Sequence, residues 1–278
     1  MTGLVLEGGT LRGLFSAGVM DAFLEAGIEF PYIIGVSAGI ANAVSYVSKQ
    51  YGRTLLYLQK YRNDPRYMSM QNFLKDGAYF GLDFAFNTIP NELVPFDYET
   101  FLQYKGTLIA GVTSAKTGKM VYLNELADNK TWDILRASCA LPIYFPPIKL
   151  FGEEFYDGGL RCPVPYAKAI NDGCEKLVII LTNPEGYVRK LKASYVMTAK
   201  LTKRRYPALE ELFLTRYKVY NLQIQHINAL EKSGKAIVFR PAFSLNSFEK
   251  NTDTMREVWQ MGKDAGAARI DEIKAFLE

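Results

Sequence analysis

A serine flanked by glycines is the first group in this sequence that could do covalent chemistry. Ser37 lies at the centre of Gly35-Val36-Ser37-Ala38-Gly39, a G-x-S-x-G pattern between an apolar run and a helical segment. A tight strand-to-helix turn exposes a serine hydroxyl, and its glycines relieve crowding. The helix N-terminus behind the turn favours the negative charge that develops during acyl transfer. The pattern indicates a nucleophile; the alternative is a small-residue turn in which Ser37 caps a helix.

A second glycine-rich turn, Gly8-Gly9-Thr10-Leu11-Arg12-Gly13, follows the first apolar run and opens a helical segment. Backbone N–H groups in such a turn can hold an anion. Dinucleotide binding would need G-x-G-x-x-G and an acidic residue after the second strand, but the spacing is G-G-x-x-x-G and Ser37 stands in that place. A P-loop would need G-K-S/T, which does not occur. We favour an oxyanion hole formed by the amides of Gly9 and Thr10; the alternative is a plain β-α turn.

The general base is less obvious, because the chain has one histidine. A single histidine excludes sites that need two, such as multi-histidine zinc sites. His226 lies in a polar helical segment far along the chain from both glycine turns, which is typical of a surface residue. Asp157 ends a strand-like segment, and the glycines that follow permit close approach to another turn. A buried, hydrogen-bonded carboxylate can serve as a base, so the residues alone leave both candidates open.

The composition excludes several classes of protein. With 278 residues, 49% of them hydrophobic and 22% charged, the chain is too apolar to be disordered and long enough to bury a core. Three cysteines without a C-x-x-C pair argue against a disulfide scaffold and a zinc ribbon. The sequence has no EF-hand spacing, which argues against a calcium site. Glu7 interrupts the N-terminal apolar run, and no stretch approaches the roughly 18 apolar residues of a membrane span. We therefore expect a reduced, cytoplasmic protein.

The elements that must position these residues alternate between strand and helix. The pattern predicts a strand at Leu4–Leu6, a helix at Leu14–Ala26 that ends at Gly27, a strand at Tyr32–Ile34 and a helix at Ile40–Val47. This β-α-β-α order predicts a parallel sheet covered on both faces. Ligands of such sheets bind at the carboxyl ends of the strands, which is where both glycine turns fall.

The remaining chain is predicted to add strands and a helical end. The further predicted elements are a hairpin of Leu108–Val112 and Met120–Leu123, a helix at Trp132–Ser138, and strands at Phe155–Asp157, Leu177–Leu181 and Ala236–Phe239. No repeat or low-complexity linker interrupts the chain. We predict a catalytic core over residues 1–185 and a mostly helical part over residues 186–278, packed together as one compact unit.

Two segments are biased in composition. Residues 66–104 hold ten aromatic side chains in 39 positions, which could line an apolar substrate cavity but are interpreted here as core packing. Residues 189–218 hold nine basic and two acidic side chains, a net charge of +7. The whole chain has a net charge of +4, so the remainder carries −3. The first interpretation of this basic segment is a solvated helical face. The alternative is peripheral contact with an anionic membrane, to which each basic side chain would contribute about 1 kcal/mol of binding free energy. The segment has no nucleic-acid-binding motif, which argues against nucleic acid as the partner.

The order of these motifs resembles that of the patatin-like phospholipases. A glycine-rich loop with a basic residue, G-x-S-x-G and Asp157-Gly158-Gly159 occur in the order of that family, and Ala137–Pro147 is similar to its proline-rich passage before the aspartate. The resemblance covers residues 1–182. It implies a three-layer α/β/α sandwich around a mainly parallel sheet, here with a helical C-terminal part, and a serine–aspartate dyad that needs no histidine.

The resemblance also implies a role for each motif residue. Ser37 is the nucleophile and Asp157 the general base of a hydrolase that cleaves lipid or small acyl esters, without metal or cofactor. The implied oxyanion loop is Gly8, Gly9, Thr10, Arg12 and Gly13, and the implied elbow and motif glycines are Gly35, Gly39, Gly158 and Gly159. Two other functions stay open. One is acyl transfer to an acceptor other than water. The other is a regulatory role at the inner face of the membrane, for a protein that keeps the fold but has little or no catalytic activity.

Two positions depart from the family pattern. Thr10 stands where the loop has its third glycine, which narrows the freedom of the backbone there. The asparagine often found shortly after D-G-G is absent, and Cys162 lies near its position. Neither departure touches Ser37 or Asp157. They favour a divergent bacterial-type branch of the family over its plant storage proteins.

Overall fold

The computed structural model describes residues 1–124, 126 and 131–278, and within these ranges the strands form one mixed sheet of eight. The strands are β1 (Thr2–Leu6), β2 (Tyr32–Val36), β3 (Thr107–Ser114), β4 (Met120–Leu123), β5 (Ile148–Leu150), β6 (Glu153–Asp157), β7 (Lys176–Ile180) and β8 (Ala236–Phe239). Their order is β5-β6-β3-β2-β1-β7-β8, and β4 pairs with β3. The five strands from β3 to β8 along this path run parallel, whereas β4 and β6 pair antiparallel with β3, and β5 antiparallel with β6. The predicted mainly parallel sheet is therefore confirmed.

Helices cover the two faces of this sheet. They are α1 (Gly13–Glu25), α2 (Ala38–Val47), α3 (Arg53–Tyr61), α4 (Met70–Asp76), α5 (Tyr98–Gln103), α6 (Asp133–Cys139), α7 (Tyr166–Asn171), α8 (Ala193–Thr202), α9 (Pro207–Lys232), α10 (Thr252–Ala267) and α11 (Ile270–Leu277). Successive residues of a strand point to opposite faces. Leu4 and Leu6 of β1 accordingly join the cluster under α1 and α10, and Val5 joins the cluster under α7 and α9. This arrangement is the predicted three-layer sandwich.

The register of the sheet brings the sequence motifs to one edge. Leu6 at the end of β1 pairs with Gly35 of β2, so the two glycine turns leave the sheet side by side. On the other side of β2, Val36 pairs with Gly111 of β3. The next residue of β3 pairs with Asp157 at the end of β6.

The C-terminal residues take part in the same layers. β8 extends the sheet by pairing with β7, which confirms the strand predicted at Ala236–Phe239. α10 packs along α1, where the indole N–H of Trp259 donates a hydrogen bond to the buried Asp21 carboxylate at 2.7 Å. Burial raises the pKa of Asp21 to about 6, although the Trp259 hydrogen bond opposes this shift. The domain boundary at residue 185 stays a prediction.

Several local expectations can be compared with the helices found. α1 ends beside Gly27, whose φ of +66° is the left-handed value expected of a glycine stop. The helix expected at Trp132–Ser138 is α6. The aromatic segment, for which no elements were predicted, contains α4, α5 and a π-helix at Phe84–Leu93. None of the helices in the described ranges has the length and apolar character needed to cross a bilayer.

Candidate active site

Ser37 occupies a strained turn between β2 and α2. Its φ of 55° and ψ of −135° are unusual for a residue other than glycine, and such conformations cost on the order of 1–3 kcal/mol. The residue is buried, with 6% of its surface exposed. A Cβ added at Gly39 would lie 2.7 Å from the Glu7 carbonyl oxygen, so this glycine lets the turn approach the end of β1. Gly35 is the fourth residue of β2, and the geometry is that of a nucleophile elbow.

A second serine, Ser138 of α6, holds this turn in place. The Ser37 N–H donates a hydrogen bond to the Ser138 Oγ at 2.9 Å, and that hydroxyl donates to the Gly111 carbonyl at 2.8 Å. Ser138 is fully buried. Sequence reasoning missed this residue, although a serine within the apolar passage before Asp157 was a signal available to it. The contact fixes the backbone of Ser37 to β3 and α6.

Replacing Ser138 by alanine is expected to lower kcat for p-nitrophenyl butyrate hydrolysis by about 10–100-fold with little change in KM. The substitution leaves a buried N–H without its acceptor, at a cost of about 1–3 kcal/mol, and the strained turn loses its support. Steady-state kinetics separate the two parameters. Ser16→Ala is the matched control, because the Ser16 hydroxyl is equally buried and has no hydrogen-bond partner among the described residues. An unchanged kcat in Ser138→Ala would show that the contact does not position the elbow.

Asp157 is held at the end of β6 by its own backbone and by the turn that follows. Its N–H donates to the Ala140 carbonyl at 2.8 Å, and the Thr113 hydroxyl donates to its carbonyl at 2.9 Å. The Gly159 N–H donates to the Asp157 Oδ1 at 2.7 Å. Gly158 packs so closely on β3 that an added Cβ would lie 2.3 Å from the Gly111 carbonyl oxygen. The carboxylate, 2% exposed as a residue, therefore has one orientation.

The environment of Asp157 makes its carboxylate more basic than usual. Burial raises its pKa to about 6, against the opposing effects of the Ser37 hydroxyl, the Gly159 N–H and the positive charge of Arg216. The Ser37 hydroxyl lies near enough to the Asp157 carboxylate to lower its pKa as a hydrogen-bond donor does. At neutral pH the carboxylate is ionised, and its raised pKa strengthens it as a proton acceptor. This arrangement can deprotonate a serine as it attacks.

The loop from Gly8 to Gly13 packs against the elbow. A Cβ added at Gly8 would lie 2.9 Å from the Ser37 Cβ, so the close approach requires glycine there. The N–H groups of Arg12 and Gly13 are bonded to the carbonyls of Gly9 and Thr10 within the loop. In the described part of the chain, no group accepts a hydrogen bond from the N–H of Gly9 or Thr10. These two amides are thus available as donors beside Ser37.

Thr10 adopts the conformation for which glycine is the usual residue. Its φ is +51°, in the left-handed region, and its hydroxyl donates to the Gly9 carbonyl at 2.6 Å. A threonine there costs on the order of 1–3 kcal/mol relative to an unstrained backbone. The departure from the family pattern therefore keeps the glycine-like turn and adds a side chain beside Ser37.

Two cavities meet at Ser37 and Thr10. The first, of about 140 Å³, is apolar and extends between α2, α3 and the aromatic segment. Four of the ten aromatic side chains of residues 66–104 line it, namely Tyr67, Phe80, Phe86 and Phe96. Others pack in the core, as Phe84 does with Ile89 and Val94. The aromatic segment thus serves both as core and as the wall of a cavity, which corrects the interpretation as core packing alone.

The second cavity, of about 310 Å³, is polar and reaches from Ser37 to the C-terminal part of the chain. Arg189, Lys192 and Arg216 line it together with Arg12, and Glu7 and Asp157 are the acidic groups on its wall. Three basic residues of the segment 189–218 therefore face the site. The interpretation of that segment as a solvated face is wrong for Arg189, which is 7% exposed, and applies to exposed residues such as Lys200 and Arg204.

His226 and Cys162 have other surroundings. His226 is exposed on α9, where its Nδ1 lies 2.9 Å from the Tyr166 hydroxyl, and it lines neither cavity. Cys162, at the position near which the family often has asparagine, accepts a hydrogen bond from the Gln223 amide at 3.2 Å. Within the described ranges, no group of three histidine, cysteine, aspartate or glutamate side chains could hold a metal ion. His226 therefore lies outside both cavities that meet at Ser37.

Two known protein families match this chain. The sequence profile of the patatin-like phospholipases matches residues 4–170, and that of a domain of unknown function, DUF6363, matches residues 206–278. The uncharacterized protein YjjU of Escherichia coli K12 is 28% identical over 195 residues, which are 65% of this chain and 52% of that protein. Triacylglycerol lipase 5 of Saccharomyces cerevisiae is 26% identical over 191 residues, 58% of this chain and 24% of that protein.

The chain thus spans about half of the first relative's length and about a quarter of the second's. Among solved structures, VipD from Legionella pneumophila superposes with a TM-score of 0.49 at 13% sequence identity. That match covers 98% of this chain and 67% of VipD.

Proposed function

Because this chain belongs to the patatin-like phospholipase family, we propose that it is a serine acyl hydrolase that cleaves lipid acyl esters through Ser37 and Asp157. The observation that carries the proposal is the position of the Ser37 hydroxyl beside the buried Asp157 carboxylate, whose raised pKa suits a general base. Both groups lie where two strands of the sheet end, the usual ligand position in α/β folds. The strained elbow and the free loop amides supply the other parts that acyl transfer needs.

The reaction proceeds in two halves. Asp157 takes the proton of the Ser37 hydroxyl while the Oγ attacks the ester carbonyl carbon, and the carbonyl electron pair becomes an oxyanion. The amides of Gly9 and Thr10 stabilise this charge, a contribution of about 10²–10³ in rate per donor in comparable sites. The alcohol then leaves with the proton held by Asp157. In the second half, Asp157 deprotonates a water molecule that cleaves the acyl-enzyme and restores Ser37.

The two cavities give the two parts of an ester different places. The apolar cavity accepts the acyl chain, since each buried CH₂ contributes about 0.8 kcal/mol to binding. The polar cavity then receives the alcohol that leaves. Because Ser37 lines both, an ester bridging them presents its carbonyl carbon to the Oγ. The proposal therefore assigns each cavity a side of the scissile bond.

The pH dependence of hydrolysis tests the proposal. We expect purified protein to hydrolyse p-nitrophenyl butyrate, with kcat/KM constant above about pH 7 and falling about tenfold per pH unit below pH 6. The reason is the sign of the titration: Asp157 has a pKa of about 6 and accepts the Ser37 proton only when ionised. Initial rates in constant-ionic-strength buffers from pH 4.5 to 8.5 give the profile. A plateau extending to pH 5, or no hydrolysis at any pH, would contradict it.

A further inference from the structure

We infer, on the basis of the proposed function, that helix α9 positions the catalytic groups through two of its side chains, Arg216 and Tyr220. Arg216 holds the turn that follows Asp157, and Tyr220 holds the oxyanion loop through Asn183. Both side chains belong to the segment 206–278, which matches a domain of unknown function. That segment thus takes part in acyl hydrolysis although it supplies no reacting group.

Arg216 contacts the residue that orients the base. Its Nη2 donates a hydrogen bond to the Gly159 carbonyl at 3.2 Å, and the Gly159 N–H donates to the Asp157 Oδ1 at 2.7 Å. The guanidinium also lies over the ring of Tyr195 of α8, at 4.9 Å from its centroid. Because one glycine makes both hydrogen bonds, a movement of Arg216 also moves the N–H that orients the carboxylate. Arg216 therefore holds the Asp157 carboxylate in place from the C-terminal part of the chain.

Asn183, which follows β7, links Tyr220 to the oxyanion loop. Its Nδ2 donates to the Tyr220 hydroxyl and to the Glu7 Oε1, both at 3.0 Å. Its Oδ1 accepts a hydrogen bond from the Arg12 Nη1 at 2.7 Å. A carboxylate only accepts and a guanidinium only donates, so these partners fix which way the amide points. Asn183 and Tyr220 are both buried, and water does not replace either contact.

Arg12 carries this contact to an amide of the oxyanion hole. Its Nε donates to the Gly9 carbonyl at 3.3 Å while Asn183 holds its Nη1. The Gly9 carbonyl and the Thr10 N–H belong to one planar trans peptide and point in opposite directions, so fixing the carbonyl also fixes the N–H. Thr10 has a φ of +51°, and such conformations persist only where their surroundings hold them. The loop therefore depends on this support for its geometry.

The two side chains lie on one face of a helix that is anchored elsewhere. Arg216 and Tyr220 are four residues apart, the spacing at which helical side chains lie next to each other. α9 is held in the core by buried side chains on both sides of this pair, namely Leu209, Leu212, Phe213 and Ile227. A single helix thus contacts the turn of the base and the support of the oxyanion loop, and it fixes the position of one relative to the other.

Arg216 also acts on the base through its charge. Burial raises the pKa of Asp157 to about 6. The Ser37 hydroxyl, the Gly159 N–H and the charge of Arg216 oppose this rise, in that order. Cys139 of α6 also interacts with the carboxylate, but burial raises the pKa of its thiol, which stays neutral near pH 6. Removing the charge of Arg216 therefore raises the pKa of Asp157 further, and hydrolysis declines at a higher pH.

The pH profile of hydrolysis tests the contact made by Arg216. For Arg216→Gln we expect kcat for p-nitrophenyl butyrate to fall about tenfold at pH 8 with little change in KM, the effect of losing a charge-assisted hydrogen bond. The pH at which kcat/KM is half-maximal should rise by about 0.5–1 unit. Arg216→Lys keeps the charge and should keep the wild-type half-maximal pH. Lys218→Gln is the matched control, because it removes an exposed charge of the same helix and should change neither quantity.

Tyr220→Phe tests the contact with the oxyanion loop. It removes only the hydroxyl that Asn183 uses and keeps the ring, so we expect kcat to fall about 5–10-fold with KM and the half-maximal pH unchanged. Asn183→Ala should lower kcat about 100-fold, the effect of losing one oxyanion donor. The double variant should be no slower than Asn183→Ala, since both changes break one chain of contacts. Tyr206→Phe is the control, because this buried hydroxyl donates to Glu154 at 2.8 Å instead.

The outcomes separate this inference from the proposed function. An unchanged kcat in Tyr220→Phe, or an equal fall in Tyr206→Phe, would overturn the inference, and so would an unchanged half-maximal pH in a folded Arg216→Gln. A rise in KM alone would indicate substrate binding instead of positioning and would overturn it as well. In these cases the wild type still turns over the ester. No turnover by the wild type, with Ser37 unlabelled by a fluorophosphonate, would contradict the proposed function itself.

Discussion

Ser37→Ala is expected to lower kcat/KM for p-nitrophenyl butyrate by about 10⁴–10⁶ and to abolish labelling by a fluorophosphonate. The loss is large because alanine has no oxygen to form the acyl-enzyme. Only the direct attack of water on the ester then remains, assisted by the loop amides and by binding in the cavities. Intact-mass spectrometry counts the label, and peptide mapping places it in the segment containing Ser37. Melting temperature and circular dichroism show whether the variant is folded.

A serine from the same cavity provides the control. Ser247 lines the polar cavity, and its carbonyl, which alanine keeps, accepts a hydrogen bond from the Leu11 N–H at 3.4 Å. Ser247→Ala should therefore retain both labelling and turnover. Label on Ser247 of the wild-type protein, or turnover that survives Ser37→Ala, would refute the assignment of the nucleophile. Binding to liposomes that survives Ser37→Ala, together with no turnover on any lipid, would favour the non-catalytic membrane protein instead.

Asp157→Asn is expected to lower kcat/KM by about 10⁴, the effect of the same change at the aspartate of a serine protease triad. Asparagine keeps the size of the side chain and an oxygen for the Gly159 N–H, but it cannot take a proton from Ser37. The residual activity of this variant should no longer fall below pH 6. His226→Ala is the control, since His226 is exposed and outside both cavities. Full activity in Asp157→Asn with loss in His226→Ala would overturn the dyad.

The same variant should be more stable than the wild type at pH 8. The folded-state pKa of Asp157 is about 6, above the unfolded value of about 4, so the folded protein binds a proton more tightly. Stability therefore falls as the pH rises from 4 to 6, and the ionised group costs about 2–3 kcal/mol above pH 6. Asparagine removes that cost. Thermal melts at pH 8 and pH 4 should show a higher melting temperature for Asp157→Asn at pH 8 and little difference at pH 4.

Short-range features of the fold could be predicted because adjacent residues encode them. The alternation of apolar runs and glycine turns gave β1, α1, β2 and α2 within a few residues of their observed ends. The hairpin of β3 and β4 was predicted in the same way, from two apolar runs and a polar turn. The segment between residues 66 and 104 was not, because its π-helix contains Pro90 and depends on packing rather than on a local pattern.

The residues around the reacting serine depended on contacts that join distant parts of the chain. Ser138 reaches the Ser37 N–H across 101 residues, and Arg216 reaches the Gly159 carbonyl across 57. No periodicity in either segment marks such contacts, since they follow from the register of the sheet and the path of α9. The basic segment 189–218 illustrates the point. Its charge was evident from composition, but whether a given charge faced solvent or the serine was not.

The sequence by itself determined that this protein has a serine turn, a glycine loop and an aspartate at the ends of strands, because each is a local motif with its own backbone requirement. A carboxylate was open as the base until the family resemblance favoured it. Only the tertiary structure decided that Asp157, 120 residues beyond Ser37, is buried beside the Ser37 hydroxyl and raised in pKa. It also decided that Arg189 and Arg216 line the same cavity as Ser37. Burial and long-range pairing set the energies of these groups, and both are properties of the assembled sheet and helices rather than of neighbouring residues.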